Sequence, residues 1–339
     1  MKEKHNIQAL RKLCFNAETF TTEILDWIEN ENLWNLWVPK EYGGRESAFT
    51  EGLQELKHLA KIDGSLGWTV TLCSGANYFI GNLKKKAAAA IFSNPRKPVC
   101  FGGSGGISGI AEKIGNQYKI SGKWRYATGA PYLTHFTLNA KIIEDGKELK
   151  EKDGSPKFRS FILPKKDVKI IADWDTMGLN ASVTHSFEVN AAKVHEKFSF
   201  RYDQFYLPQS IFKIPFSVFA DLTLWVNYIG MAEHFMEEAE IILPQEKLKN
   251  IASVISLADQ EIAHISEEIG ATALKNSKFT TKYIEKVHKT ATESVHRLSY
   301  GIIKVFPLLG IKAVSKNYPL NQIFRDYFTA TQHKLFAGK

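Results

Sequence analysis

Twice along this chain the spacing of apolar residues changes period, and that limits it to a helix–strand–helix architecture. From residue 6 to about 94 the apolar positions recur at three- and four-residue steps. Ile7, Leu10, Leu13, Cys14, Ala17, Phe20, Ile24 and Ile28 follow this rule, the mark of one buried helical face. The run Leu36 to Gly44 breaks that helix, with Pro39 and Gly43-Gly44 forming a turn. Helices over roughly 47–62 and 65–92 follow, the second entered through a capping Asp63-Gly64-Ser65. Between about 97 and 200 the period drops to two. Tyr118, Ile120, Trp124, Tyr126 and Thr128 share parity, and His135–Ile143, Phe158–Leu163 and His185–Val189 read as further strands.

From about 210 the helical period returns. Ile251, Ile255, Ala258, Ile262, Ile265 and Ile269 form a heptad-like seam, and Tyr283, Val287, Ala291, Val295, Leu298, Ile302 and Val305 form a second. A segment near 216–241 and the C-terminal one complete a four-helix bundle. The expected chain is therefore α+β. It has a helical N-terminal region over 1–96, a β-barrel or sandwich over 97–203 and a helical bundle over 204–339.

Bulk properties exclude several functions. The formal charge of +8 on 339 residues comes mainly from dispersed lysines, with Lys84-Lys85-Lys86 the only dense run. That reads as solvated surface, not a nucleic-acid footprint. No run of about 18 apolar residues exists to span a membrane, and Met1 to Asn6 lacks a signal-peptide pattern. Cys14, Cys73 and Cys100 are few and widely spaced, as expected of free thiols in a cytoplasmic protein.

Three motifs invite a chemical reading. Gly102-Gly103-Ser104-Gly105-Gly106-Ile107-Ser108-Gly109 lacks the Lys-Ser/Thr end of a Walker loop and the third glycine of a dinucleotide loop. It is expected to be a turn or a loop over a ligand. Glu261/His264, Glu285/His288 and Glu293/His296 have the spacing of di-iron ligands on bundle helices. They flank the apolar seams instead of lying on them, so no metal is expected. In Lys123-Trp124-Arg125-Tyr126-Ala127-Thr128-Gly129, alternation places Trp124, Tyr126 and Thr128 on one strand face. Such a face suits a flat ring system, and equally an ordinary aromatic core.

Four segments in order now resemble one family. Leu33 to Gly44, Gly122 to Gly129, Asp175 to Asn180 with the strand to Val194, and the Arg325-Asp326 helix are similar to the acyl-CoA dehydrogenase superfamily over nearly the whole chain. Asp63-Gly64-Ser65-Leu66-Gly67-Trp68, the strand ending Ala127-Thr128-Gly129, and Arg325-Asp326 followed by Gln332-His333 resemble its two-component flavin monooxygenase branch. The resemblance implies FAD or FMN, supplied reduced by a separate flavin reductase. It also implies O2, a small aromatic or cyclic substrate, and a homotetramer or dimer. The cofactor-binding residues it implies are Trp124, Tyr126, Thr128, Gly129, Arg325 and Asp326, and the catalytic ones His333 and Thr128.

Chemistry separates the two branches. A dehydrogenase needs a carboxylate base over the flavin, but the positions after Arg325-Asp326 read His333-Lys334-Leu335. An alternative base would fall near Ala220; Asp221, one residue off register, reads as exposed or capping. A monooxygenase instead needs a hydroxyl and a group titrating near neutrality beside the flavin–oxygen adduct, and Thr128 and His333 match those places in the branch. Glu240 to Lys247 contains no arginine for a flavin pyrophosphate. An acyl-CoA dehydrogenase with a displaced base and a flavin-free scaffold therefore stay open as alternatives.

Overall fold

A computed structural model describes residues 7–92 and 98–337. The N-terminal run and the expected boundary at 96/97 lie outside them. The first helices are α1 (Ile7–Cys14), α2 (Thr22–Asn30), α3 (Phe49–Ile62), α4 (Gly64–Asn77) and α5 (Lys85–Phe92). The strands are β1 (Phe101–Ile114), β2 (Gln117–Ala127), β3 (His135–Glu144), β4 (Lys147–Glu148), β5 (Phe158–Pro164), β6 (Lys169–Ile171), β7 (His185–His195) and β8 (Ser199–Phe200). Helices return as α6 (Phe216–Glu240), α7 (Gln245–Leu274), α8 (Thr281–Val305), α9 (Ile311–Val314) and α10 (Pro319–Ala330).

The period changes thus fall where the elements change type. Every residue of the first expected bundle seam, Ile251 through Ile269, is buried, and so is the second from Val287 to Val305. Three local expectations need correction. The first helical stretch is two helices, because Asn16 between them takes a left-handed φ of 53°. The expected 65–92 helix stops at Asn77. There the Tyr78 hydroxyl reaches the Ile214 carbonyl (2.9 Å) and Asn82 bonds the Arg201 and Gln204 carbonyls (both 2.9 Å), so side chains hold the chain in a tight turn.

The third correction is the glycine run, which is not a loop but the first half of β1. It pairs in parallel with β3, with register shifts on either side of Ile107. Gly109, at φ +71°, lies where an added Cβ would come within 2.7 Å of the Trp124 ring. Its lack of a side chain lets β2's tryptophan lie across β1.

The strands form one sheet in the order β6-β7-β2-β1-β3-β5-β8, with β4 added to β3. β2 and β5 stand three strand spacings apart, about 14 Å if the sheet were flat. Yet the Tyr118 and Phe161 rings meet at 5.0 Å, so the sheet curls around its own core. Trp124 is central to that core. It is fully buried, stacks on Phe187 at 5.5 Å and donates its indole N–H to the Asn139 carbonyl at 2.8 Å.

Trp124→Ala is expected to cost about 3–5 kcal/mol of stability, read as a fall in the denaturant midpoint. Tyr126→Ala, at a half-exposed side chain, should change it by no more than about 0.5 kcal/mol.

Candidate functional site

Helix α4 is apolar and small-residue rich, and nearly every position from Gly64 to Thr71 is buried. Being enclosed all round, it presents a different neighbour on each face. Its N-terminus is capped by Asp63, whose Oδ1 accepts from the Leu66 amide at 2.9 Å. Asp63 Oδ2 accepts from Gln322 Nε2 at 2.7 Å, and the same amide leans toward Asp326 Oδ2 at 3.5 Å. Asp326 Oδ1 accepts from the Leu179 amide at 2.6 Å. Two glycines permit this convergence: a Cβ at Gly64 would meet the Asp326 side chain at 2.7 Å, and one at Gly178 the Arg325 carbonyl carbon at 2.3 Å. Arg325 donates to the Met177 carbonyl and to Asn321 Oδ1 (2.9 Å).

Two carboxyls therefore share a buried pocket bridged by an amide, with no lysine or arginine among the described residues hydrogen-bonded to either. Burial, reinforced by the neighbouring Asp326 charge, pushes Asp63 up to about 8. Burial raises Asp326 to about 6, against the pull of the Leu179 amide and Arg325. At neutral pH the pair holds a proton.

A second face of α4 meets the end of β2. Gly129, at φ +71°, lies against Cys73 and Thr69, and the Cys73 thiol points to the Thr128 carbonyl at 3.7 Å. Thr128 is buried and its Oγ1 accepts from Thr184 Oγ1 at 3.1 Å. Thr184 in turn contacts Ser182 Oγ at 2.8 Å, and Ser182 donates to the Leu179 carbonyl at 2.6 Å. The hydroxyl hydrogen of Thr128 itself has no acceptor among the described residues. A buried donor in that condition fits a ligand acceptor, and a flavin ring heteroatom supplies one.

One turn beyond Gly64 on the same face of α4 stands Trp68, and His333 is edge-on to it at 5.7 Å. Burial, with a further push from Lys334, lowers His333 to about 4. The expectation of a group titrating near neutrality is thereby corrected: a dry, aromatic-walled imidazole stays neutral. Its Nδ1 faces the Leu335 amide at 3.4 Å, which leaves Nε2 to carry the hydrogen.

The sequence-derived residues are thus brought to one helix but not to one point. Asp326 and His333 lie one turn apart on one face of α4, at Gly64 and Trp68, and Thr128 and Gly129 lie on another, at Thr69 and Cys73. Arg325 and Asp326 act as ties between segments. Trp124, Tyr126 and Thr128 do not share a face. The β2–β7 register shifts between Trp124 and Ala127, which turns Tyr126 outward against Trp174 at 6.0 Å while Trp124 stays in the core. Asp221 is also corrected. It is 1% exposed, and its Oδ1 lies 2.9 Å from His288 Nδ1. Of the bundle Glu/His pairs, Glu261 holds Arg297 at 2.5 Å and Glu293 faces Lys289 at 3.8 Å, and no group of three potential metal ligands occurs among the described residues.

Sequence reasoning missed Thr184 and Ser182. Both stand beside a 3-10 turn, at Asn180–Ser182, that breaks the periodicity. Asn180-Ala181-Ser182-Val183-Thr184, with two hydroxyls two residues apart, was the available signal.

No family model matches the chain. Indole-3-acetate monooxygenase of Acinetobacter baumannii is 24% identical over 337 residues, covering 94% of this chain and 84% of that protein. The oxygenase subunit HsaA of a flavin-dependent monooxygenase from Rhodococcus jostii is 20% identical, over 90% and 85% of the two chains. Among solved structures, 3-HSA hydroxylase from Rhodococcus sp. RHA1 superposes with a TM-score of 0.89 at 16% identity, over 97% of this chain and 90% of that one. The chain is thus similar to flavin-dependent monooxygenases along most of its length and shares their acyl-CoA dehydrogenase-like fold. XiaF from Streptomyces, solved with FADH2 and glycerol, aligns at TM-score 0.87 and 17% identity, over 97% and 89%. TdsC from Paenibacillus, solved with FMN and indole, aligns at 0.79 and 15%, over 98% and 92%.

The acid pair sets a pH dependence for this flavin-dependent monooxygenase relative. Because Asp63 and Asp326 have folded pKa values above the unfolded one, the native state retains protons that the unfolded chain releases. Their stabilising contribution is full below about 4 and is lost as pH rises through about 6 and then about 8. The urea midpoint should therefore decline from pH 5 to pH 8, and Asp63→Asn should flatten that decline.

Proposed function

We propose that this protein is the oxygenase component of a two-component flavin monooxygenase, using reduced flavin and O2 to hydroxylate a small aromatic substrate. The observation that carries this reading is the Thr128 hydroxyl, buried, accepting from Thr184, and left with its own proton to give. When bound, the flavin would supply the activation of O2. Thr128 would donate to a ring heteroatom of that flavin. Neutral His333, fixed against Trp68, would donate a hydrogen bond from Nε2 without adding charge. Asp326 and Arg325 would act by holding Leu179, and through it Ser182, in place.

The relatives support the partners. One is named as an oxygenase subunit, which implies a reductase on a separate chain, and the solved neighbours hold FADH2 or FMN. Either flavin fits the Thr128 face. We also propose a cytoplasmic location, since all three cysteines are free and buried and, among the described residues, no helix is long and apolar enough to cross a membrane. A homo-oligomer completes the proposal: α7, α8 and α9 leave Leu257, Leu274, Tyr300, Ile303 and Ile311 exposed, an apolar surface suited to a second copy.

The alternative of a dehydrogenase with a displaced base loses its candidate, since Asp221 is buried and committed to His288. A coupled assay tests the proposal. Full-length protein, an added flavin reductase with NADH, isotopically labelled O2 and indole-3-acetate or a phenol should give product carrying one labelled oxygen atom. Thr128→Ala should lower the coupled yield by about tenfold or more, the scale of one lost oriented donor. Bleaching of bound oxidised flavin by an acyl-CoA, with no label incorporated, would overturn it.

A further inference from the structure

The turn that carries Ser182 and Thr184 is held in a backbone conformation its own residues disfavour. It opens at Leu179 (φ 55°) and closes at Val183 (φ 38°), both left-handed and neither a glycine. For a β-branched valine that is an outlier, because its branched side chain crowds the backbone there. Such a conformation persists only where the surroundings impose it, and it sets the direction of the side chain that follows.

The end of β2 is what imposes it. The Gly129 amide donates to the Ser182 carbonyl at 2.7 Å, and the His185 amide closes the turn on the Val183 carbonyl at 2.8 Å. With the turn clamped in this way, buried Thr184 reaches buried Thr128, donating Oγ1 to Oγ1 at 3.1 Å. A count of hydrogens then fixes the direction of the row. Ser182 and Thr184 bring two hydroxyl hydrogens to three contacts. That of Thr184 lies toward Thr128, so that of Ser182 is shared between the Leu179 carbonyl (2.6 Å) and Thr184 Oγ1 (2.8 Å). Thr128 therefore cannot turn its own hydrogen back toward Thr184, where another hydrogen already stands.

We propose that Thr184 is a positioning residue: held by the left-handed Leu179–Val183 turn, it keeps the Thr128 hydroxyl a one-way donor to bound flavin. The inference rests on the monooxygenase reading above. It adds a rule of selection at that face, which suits a flavin ring atom with a free lone pair and disfavours one that carries a hydrogen. Thr184 touches no flavin itself in this account and acts only through Thr128. Its hydroxyl is therefore worth nothing to flavin binding once the Thr128 hydroxyl is gone, which separates direction of a donor from simple packing.

The test is a double-mutant cycle on the full chain, with FMN and FAD affinities measured by ultrafiltration and melting curves taken to check the fold. Thr184→Val, which keeps the shape and removes the hydroxyl, should weaken flavin binding about fivefold or more, the scale of one misdirected hydrogen bond, and Thr184→Ser should restore it to within about twofold. Thr184→Ala removes the same hydroxyl without a second methyl and should act as Thr184→Val does. In a Thr128→Val background neither change should weaken binding further. An equal loss in both backgrounds, or no loss in the parent, would overturn the proposal. Thr128→Val alone reports on the monooxygenase reading. Undiminished flavin binding in that variant sinks the reading and the inference together, whereas weakened binding there with an unmoved Thr184→Val sinks only the inference.

Discussion

The contact between Gln322 and Asp326 on α10, Asp63 at the head of α4, and the Leu179 amide is the constraint on which the rest depends. It joins an N-terminal helix, a loop of the β-sheet and the last helix through hydrogen bonds of 2.6 and 2.7 Å, with a third of 3.5 Å inside the last helix. Asn16 adds the α1–α2 turn, donating its amide to Gln322 Oε1 at 2.7 Å. Unpaired buried carboxyls are costly, so an arrangement that keeps two side by side must be held by the packing around it. Gly64 and Gly178 supply the space. The same node seats Leu179, whose carbonyl receives Ser182, whose neighbour Thr184 feeds Thr128. The tie therefore positions the turn that carries Ser182 and Thr184, and Thr184 donates to the candidate hydroxyl of Thr128.

Much of the architecture was legible from periodicity. The helix seams and the strand parities are enforced by burial of one face, and burial leaves its mark on every third or second residue. What was not legible has a common physical origin in close approach across the fold. The Gly102–Gly109 run reads as a loop until Trp124 is seen lying over Gly109, a contact between strands that local sequence does not encode. The parity of Trp124, Tyr126 and Thr128 fails at a register shift, because one irregular step sends the next side chain to the other face. Asp221 looks like a surface residue until α8 brings His288 to it.

The candidate site was legible in its parts and not in its electrostatics. Thr128, Gly129 and His333 were found by motif, and all three contact α4. The protonation behaviour of His333 follows instead from its surroundings: an indole edge and a dry segment lower its pKa. It is better suited to directing a neutral hydrogen bond than to exchanging a proton at neutral pH.

The central claim is that flavin binds where Thr128 meets α4. Hydrogen–deuterium exchange of the full chain with and without FMN or FAD tests it most directly. The account predicts added protection at Thr128–Gly129, Ser182–Thr184 and the segment around His333. Protection confined to the charged cleft of about 460 Å³ between α3, α6 and α7, lined by Lys61, Glu233 and Asp259, or no protection at saturating flavin, would contradict it.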